Sequence, residues 1–199
     1  MSFLNTTANL RNTTPIPLPP SKRQGAVALL HDHDFYLHCD PHLTDYKAVE
    51  APTNPAPTFA SYKVPAPVSA LAGANPTVKL YEVHDHVPNP VYSSNVKSNE
   101  EMVDFADGLW VRVRSPMGVM METTWTVRER TDNKTQEEGG GGENAAADDS
   151  GLELVEEVYV SCNRMLMGLV KSSVEANWQK IHDKIVSRMV EDAGKATSS

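Results

Sequence analysis

The sequence predicts an α+β protein in which a curved antiparallel sheet packs against one long C-terminal helix. Strand-like segments joined by short turns fill the middle of the chain, and an amphipathic segment at 164–191 follows them. A sheet with one apolar face needs a cover, and a helix with a single apolar stripe provides it. The 199 residues are enough for one domain, 1–199, with a sizeable core.

The strongest evidence for strands is a hairpin in the middle of the chain. Residues 109–115 and 119–129 are joined by the three-residue loop Pro116-Met117-Gly118. A loop of this length that ends in glycine fixes the register of the two strands. One face is then mostly apolar and the other carries a charge pair, which is typical of a half-exposed sheet. The predicted pairs are Val113 with Met121, Val111 with Thr123 and Arg112 with Glu122.

The remaining elements are predicted from shorter patterns. Residues 15–20 should be extended and should lead into a helix at 22–30 with Ser21 as its N-cap. Residues rich in β-branched and aromatic side chains predict strands at 43–50, 77–87, 95–105 and 152–162. The terminal helix, with Asn163 as its N-cap, has an apolar stripe at helical spacing, formed by Met167, Val170, Val174, Trp178, Ile181, Ile185 and Met189.

Two segments are predicted to be irregular. Six prolines interrupt residues 51–76, which should form a long surface loop of the kind that often covers a site. Residues 131–151 hold six acids, one lysine and four consecutive glycines, so we expect a disordered acidic loop, with a regulatory tether as the alternative. The rest of the chain is nearly neutral and has no basic stripe, which argues against nucleic acid as a partner.

Composition excludes several classes of protein. No apolar run approaches the roughly 20 residues that span a bilayer, so integral membrane association is not expected. The first residues have no secretory pattern, and a cytoplasmic location is expected. Cys39 and Cys162 are too few for a disulfide framework. Phosphate-binding loops and hydrolase or zinc-protease motifs are absent, and no cofactor is expected.

The order of elements resembles the helix-grip fold of the START-like superfamily, which includes polyketide cyclases, plant allergen-like proteins and lipid-transfer domains. Four segments carry a closer resemblance to an uncharacterised fungal family within it: ALLHDHDFYLHCDP, YEVHDHV, DGLWVRVRSPMGVMMETTW and WQKIHDKIVSRM. The resemblance implies a cavity between sheet and helix that receives an apolar small molecule. It is compatible with a cofactor-independent cyclase or isomerase, a non-catalytic carrier, or a protein-interaction module, as a monomer or homodimer.

His-Asp-His occurs twice in the chain. The first, His31-Asp32-His33, falls at the end of the predicted first helix, where a neutral histidine beside a carboxylate could act as a general base. The alternative is that these histidines bind the last helical carbonyls. In the second, on a strand, His84 and His86 would share a face and could bind a metal, but the opposite face with Asp85 is more apolar. The histidines should therefore face solvent, and no metal site is assigned.

The terminal helix supplies the remaining candidates. Trp178 lies on the apolar stripe with His182 beside it, so both could line a ligand cavity, or they could be an ordinary core tryptophan and a boundary histidine. In the catalytic hypothesis an apolar wall holds the substrate, a histidine removes a proton and a donor binds the oxyanion. The residues assigned to catalysis are His31, Asp32, His33, Asp85 and His182, and those assigned to ligand binding are Tyr81, Val111, Val113, Val174 and Trp178.

Overall fold

A single antiparallel sheet of seven strands forms the frame of the structure, a computed structural model that describes residues 5–50, 66–72, 76–87, 94–130 and 151–195. The strand order across the sheet is β1-β7-β6-β5-β4-β3-β2, so the first and last strands of the chain are neighbours. The strands are β1 Asn5–Ile16, β2 Leu43–Val49, β3 Lys79–Val87, β4 Ser94–Phe105, β5 Gly108–Ser115, β6 Val119–Glu129 and β7 Leu152–Asn163.

Four α-helices complete the described residues, and the last of them is by far the longest. They are α1 Arg23–Leu30, α2 His33–Leu37, α3 Ala66–Ala72 and α4 Arg164–Lys195, with short 3-10 turns at Pro20–Lys22 and Pro116–Gly118. The α4 helix begins where β7 ends, and Asn163 Oδ1 accepts the backbone N–H of Met165 at 2.9 Å, as expected of an N-cap. The curved sheet and α4 have the predicted α+β arrangement.

The core lies mainly between the inner face of the sheet, α1 and the C-terminal half of α4. Strand residues such as Leu109, Leu152 and Leu154 contribute one side, and Ile185 and Met189 of α4 contribute the other. The apolar stripe of α4 is fully buried only at this end. Residues nearer its N-terminus are half-buried, because this part of the helix faces a cavity.

The predicted hairpin register is confirmed. Val113 pairs with Met121 and Arg112 with Glu122. The outer face, however, is not exposed as predicted: Trp110 is 1% and Arg112 5% exposed. The α3 helix packs Val68 against this face, and it lies within the segment that was predicted to be a loop at 51–76.

The N-terminal elements differ from the prediction in three ways. Residues 5–16 form a full strand, although only 15–20 were expected to be extended. Ser21 lies inside the 3-10 turn, and Lys22 precedes α1 without a side-chain cap. A second helix, α2, follows α1, and Asp32 is its N-cap, accepting the N–H of Phe35 at 3.1 Å.

The acidic loop prediction lies outside the described residues, apart from Gly151. Its two flanks are joined, because Arg130 N–H donates to Gly151 O at 2.8 Å. We expect replacement of 131–150 by a four-residue Gly/Ser turn to leave stability unchanged or raise it slightly, since each halving of a loop saves about 0.6 kcal/mol of closure free energy. Thermal unfolding followed by circular dichroism tests this, and a melting temperature lower by about 10 °C would contradict it.

Candidate functional site

A cavity of about 240 Å³ lies between α4, the inner face of the sheet and the α2–β2 connection. Period-two alternation along the strands and the helical spacing of α4 direct apolar side chains into it from both sides. Most of the wall is apolar and includes Val113, Met121, Val158, Val174, Trp178 and Ile181. This is the composition of a site for an apolar small molecule.

Four carboxyl groups interrupt the apolar wall. Asp40 comes from the α2–β2 connection, Asp85 from β3, Glu100 from β4 and Glu156 from β7. In the described part of the chain, neither lysine nor arginine is among the residues that line this cavity. Acids in an apolar cavity without cations are costly to ionise, and two of these four show it in their pKa values.

Asp85 is the carboxyl group with the least satisfied surroundings. Its Oδ1 is buried, and no group in the described residues forms a hydrogen bond with it. Burial, with a smaller effect of the nearby Asp40, raises the pKa of Asp85 to about 6, although His42 and His84 oppose the shift. Asp85 therefore presents a buried acceptor that changes protonation close to neutral pH.

Glu100 is more strongly affected. Burial raises its pKa to about 8, and the negative charges of Asp85 and Asp40 add to the effect. At pH 7 the Glu100 carboxyl is therefore protonated in most molecules. The two neighbouring acids thus have pKa values on opposite sides of neutrality, a pattern common at catalytic and binding sites.

Trp178 adds an unsatisfied donor. Its Nε1 is buried, and within the described ranges no acceptor lies within hydrogen-bond distance. Its side chain lines the same cavity as Asp85. A buried donor and a buried acceptor, both without partners, are two positions at which a ligand could form hydrogen bonds that the protein itself does not provide.

The inner end of the cavity is closed by a hydrogen-bonded set of side chains. Trp125 Nε1 donates to Tyr36 Oη at 2.9 Å, and the ring of Trp125 lies 5.1 Å from that of His182. His182 is fully buried, with Nε2 3.0 Å from Glu156 Oε2 and Nδ1 2.8 Å from Thr14 Oγ1. Both ring nitrogens of His182 are therefore occupied.

His31 and His33 also bind groups of the protein itself. Nε2 of His31 lies 2.9 Å from the carbonyl oxygen of Gly108, at the β4–β5 turn. Nε2–H of His33 donates to Asp104 Oδ1 at 2.7 Å, and Nδ1 of the same ring lies 2.9 Å from the Tyr81 hydroxyl oxygen. Burial raises the pKa of Tyr81, whereas hydrogen bonds from His33 and Lys79 outweigh burial and lower the pKa of Asp104 to about 2.

The structure brings only part of the predicted site together. Four of the predicted residues line the cavity: Asp85, Val113, Val174 and Trp178. The other six lie outside its lining: His31, Asp32, His33, Tyr81, Val111 and His182. Val111 is in the core at 1% exposure.

The second His-Asp-His has the predicted orientation. Asp85 faces the cavity, whereas His84 donates to Glu82 at 3.1 Å and His86 to Asn95 at 2.9 Å on the other face of β3. Within the described ranges no group of three His, Cys, Asp or Glu residues is placed to hold a metal.

Sequence reasoning missed Asp40 and Glu100. Glu100 had a usable signal, because alternation along β4 puts it on the same face as Val96 and Met102. Because neighbouring side chains on a strand point to opposite faces, Glu100 and Glu101 cannot both lie on the solvent-facing side of the sheet. Asp40 had no such signal in the sequence, because it lies in the irregular connection between α2 and β2, where no periodicity indicates a face.

A long C-terminal helix held against a seven-stranded antiparallel sheet defines a protein of the helix-grip fold. The chain belongs to the family described as Domain of unknown function (DUF7053), whose model matches residues 5–191. The predicted resemblance is thus confirmed at the level of the fold, and its fungal part stays a prediction. No curated protein matches the sequence.

Solved structures that are similar to this one include the following two. TTHA0849 from Thermus thermophilus has a TM-score of 0.51 and 15% identity, with 93% of this chain and 99% of that chain covered. Ara h 8.0201 has a TM-score of 0.48 and 14% identity, with 94% and 99% covered. At such identities the first match supports the fold alone. None of the helices in the described ranges has the length and apolarity needed to cross a bilayer.

Proposed function

We propose that the protein binds an apolar small molecule in this cavity and acts on it as a cofactor-independent cyclase or isomerase. One observation carries the proposal: Asp85 Oδ1 and Trp178 Nε1 are both buried in the cavity wall, and neither has a partner among the described residues. One can accept a proton, and the other can donate a hydrogen bond. Enolisation, the first step of many cyclisations and isomerisations of carbonyl compounds, needs both.

In the proposed reaction, Asp85 takes a proton from the carbon next to a substrate carbonyl. The C–H electron pair becomes the enolate, and Trp178 Nε1–H donates to the oxygen on which the charge develops. The protonated Asp85 then returns the proton to another carbon. In a cyclisation, the enolate carbon instead attacks a second carbonyl group of the same substrate, and the oxygen of that group takes the C=O electron pair and then the proton from Asp85. A pKa of about 6 suits both halves of this cycle, because Asp85 is ionised at pH 7 and yet its acid form gives up the proton readily.

Apolar walls complete the mechanism. Val113 of β5 and Val174 of α4 lie on opposite sides of the cavity, and they would hold a flexible substrate in a folded conformer. We assign the base to Asp85 and not to His31 or His33, since neither histidine lines the cavity. Nε2 of His31 and both ring nitrogens of His33 bind groups outside the cavity lining.

Asp85→Asn is expected to lower the rate of proton exchange on a bound carbonyl ligand by about 10²–10⁴-fold, because the amide cannot act as a base. Native mass spectrometry of purified protein identifies a retained ligand. Incubation of that ligand with protein in D₂O then measures deuterium incorporation next to the carbonyl. The matched control is Asp45→Asn on β2, which removes an exposed carboxylate outside the cavity lining. Wild-type exchange in Asp85→Asn would contradict the assignment.

The second candidate function is that of a carrier for a lipid or apolar metabolite. It is favoured by the hydrogen bonds of His33 and His182, whose ring nitrogens all bind groups of the protein and are not available for proton transfer to a ligand. The same experiment separates the two functions. A carrier would retain a ligand that acquires no deuterium beyond its rate in D₂O alone.

A further inference from the structure

Glu100 lines the cavity but is not used in the proposed reaction. On the inner face of the sheet, its neighbours across the strands are Tyr81 on β3 and Val113 on β5. Within the described residues, no hydrogen bond or ion pair joins its side chain to another group. Glu100 is partly buried in the cavity wall, and its carboxyl group is free to accept a hydrogen bond from a ligand.

Most of the titratable groups that line the cavity around Glu100 are acidic. Besides Glu100, the titratable residues that line the cavity are Tyr36, Cys39, Asp40, His42, Asp85 and Glu156. In the described part of the chain, His42 is the only basic residue of this lining. The α4 helix contributes Ser173, Asn177 and Trp178 to this region and no charged group. An anionic ligand would therefore meet three or more acids with no lysine or arginine to compensate its charge.

We infer that the natural ligand carries a basic nitrogen, and that its ammonium group pairs with Glu100 beside Asp40 while the apolar remainder fills the cavity. The inference rests on the proposed binding of a small molecule in this cavity and specifies its chemical class. An ammonium group would relieve the repulsion between the acids and donate hydrogen bonds to them. Asp85 Oδ1, buried and without a partner in the described residues, shows independently that the cavity is built to receive a donor.

Glu100 and Asp85 have separate roles in the proposed reaction: Glu100 binds the ammonium group, and Asp85 removes the proton. An ammonium group paired with Glu100 leaves Asp85 as the proton acceptor and Trp178 Nε1 as the donor to the carbonyl oxygen. The substrate class that follows is an apolar amino ketone or amino aldehyde, whose cation fixes its orientation before the proton is removed.

The test compares three probes with the same alkyl chain: octylamine, 1-octanol and octanoate. Each is titrated against purified full-length protein at pH 7 by displacement of the neutral fluorophore N-phenyl-1-naphthylamine. We expect octylamine to bind at least about tenfold more tightly than 1-octanol, because a hydrogen bond to a charged partner is stronger than one between neutral groups. Octanoate should bind most weakly.

Glu100→Gln isolates the contribution of this residue. The amide has the shape of the protonated acid that predominates at pH 7, so the variant should fold, and the melting temperature checks this. Octylamine should then bind no more tightly than 1-octanol, whose affinity should stay at its wild-type value. Glu175→Gln makes the same substitution on the exposed side of α4, away from the cavity, and should bind all three probes as the wild type does.

Proton release gives a measurement that needs no variant. Pairing with an ammonium group requires ionised Glu100, which is mostly protonated in the free protein at pH 7. Binding of octylamine should release about one proton per ligand at pH 7, measured by calorimetry in two buffers of different ionisation enthalpy. Its affinity should rise as pH increases from 6 to about 8 and then level off, whereas that of 1-octanol should not follow this curve.

The possible outcomes lead to different conclusions. Equal affinities for octylamine and 1-octanol, or tighter binding of octanoate, would overturn the inference and leave the proposed cavity binding intact. Tight octylamine binding that survives Glu100→Gln would overturn the assignment to Glu100. If none of the probes displaces the fluorophore, the proposed binding function itself fails, and the inference fails with it.

Discussion

Replacing Glu101 with leucine is expected to destabilise the protein by about 3 kcal/mol, because the buried Arg112 loses one carboxylate partner while Glu122, 2.8 Å from its Nε, remains. Glu101 Oε2 accepts from Arg112 Nη1 at 2.8 Å, and Oε1 accepts from Arg114 Nε at 2.8 Å. The side chains of Glu101 and Arg112 are only 2% and 6% exposed, so water cannot replace the lost partner. Arg112 also lies 4.7 Å over the ring of Trp110, which restricts its movement toward solvent.

Urea unfolding followed by circular dichroism measures this effect. Glu157→Leu is the matched control, since Glu157 pairs with Arg11 at 3.5 Å where both side chains are more than half exposed. Such a surface pair contributes at most about 1 kcal/mol. Equal loss of stability in the two variants would show that the outer-face network is open to water.

Gly108→Ala is expected to cost about 3 kcal/mol or more, because strands β5 and β6 cannot keep their spacing around the new methyl group. A Cβ atom at this position would lie 1.8 Å from the backbone oxygen of Trp125 and 3.1 Å from the Phe105 ring. Backbone in the middle of a sheet cannot rotate away as a side chain can. Gly108 also provides the carbonyl that His31 binds, so the damage should extend to the end of α1.

The control for this substitution is Gly25→Ala, in α1, where no atom lies within 4 Å of an added Cβ. Alanine in a helix is favoured over glycine by about 0.5–1 kcal/mol, so this variant should be slightly more stable than the wild type. Thermal and urea unfolding compare the two. If Gly108→Ala is as stable as Gly25→Ala, β5 and β6 do not approach each other as closely at this position as the structure indicates.

Local patterns accounted for most of the fold. The register of β5 and β6 followed from a loop of three residues, and α4 followed from one apolar stripe. The β1 strand was missed because its sequence is mostly Asn and Thr, and it became a strand by pairing with β7, far away in the chain. Propensity cannot show such pairing, since the partner decides it.

The candidate site was less accessible to sequence reasoning. Asp85 and Trp178 could be placed on inner faces by periodicity, and both line the cavity. The environment of His33 could not be foreseen, because His33 lies on α2 and its partners Tyr81 and Asp104 lie on β3 and β4, far away in the sequence. Hydrogen-bond partners that are distant in sequence decide whether a histidine is available for chemistry, and composition and spacing do not report them.

The pairing of β1 with β7 also bears on how the chain reaches this structure. The register runs from Asn5 opposite Asn163 to Ile16 opposite Leu152, so the first of the seven strands to leave the ribosome pairs with the last. Contacts between such distant segments slow folding, because the loop entropy is lost before the contacts form. Until β7 has been synthesised, β1 has an unpaired backbone and Ile16 has no core to enter, so nascent chains should depend on chaperones more than folded stability would indicate.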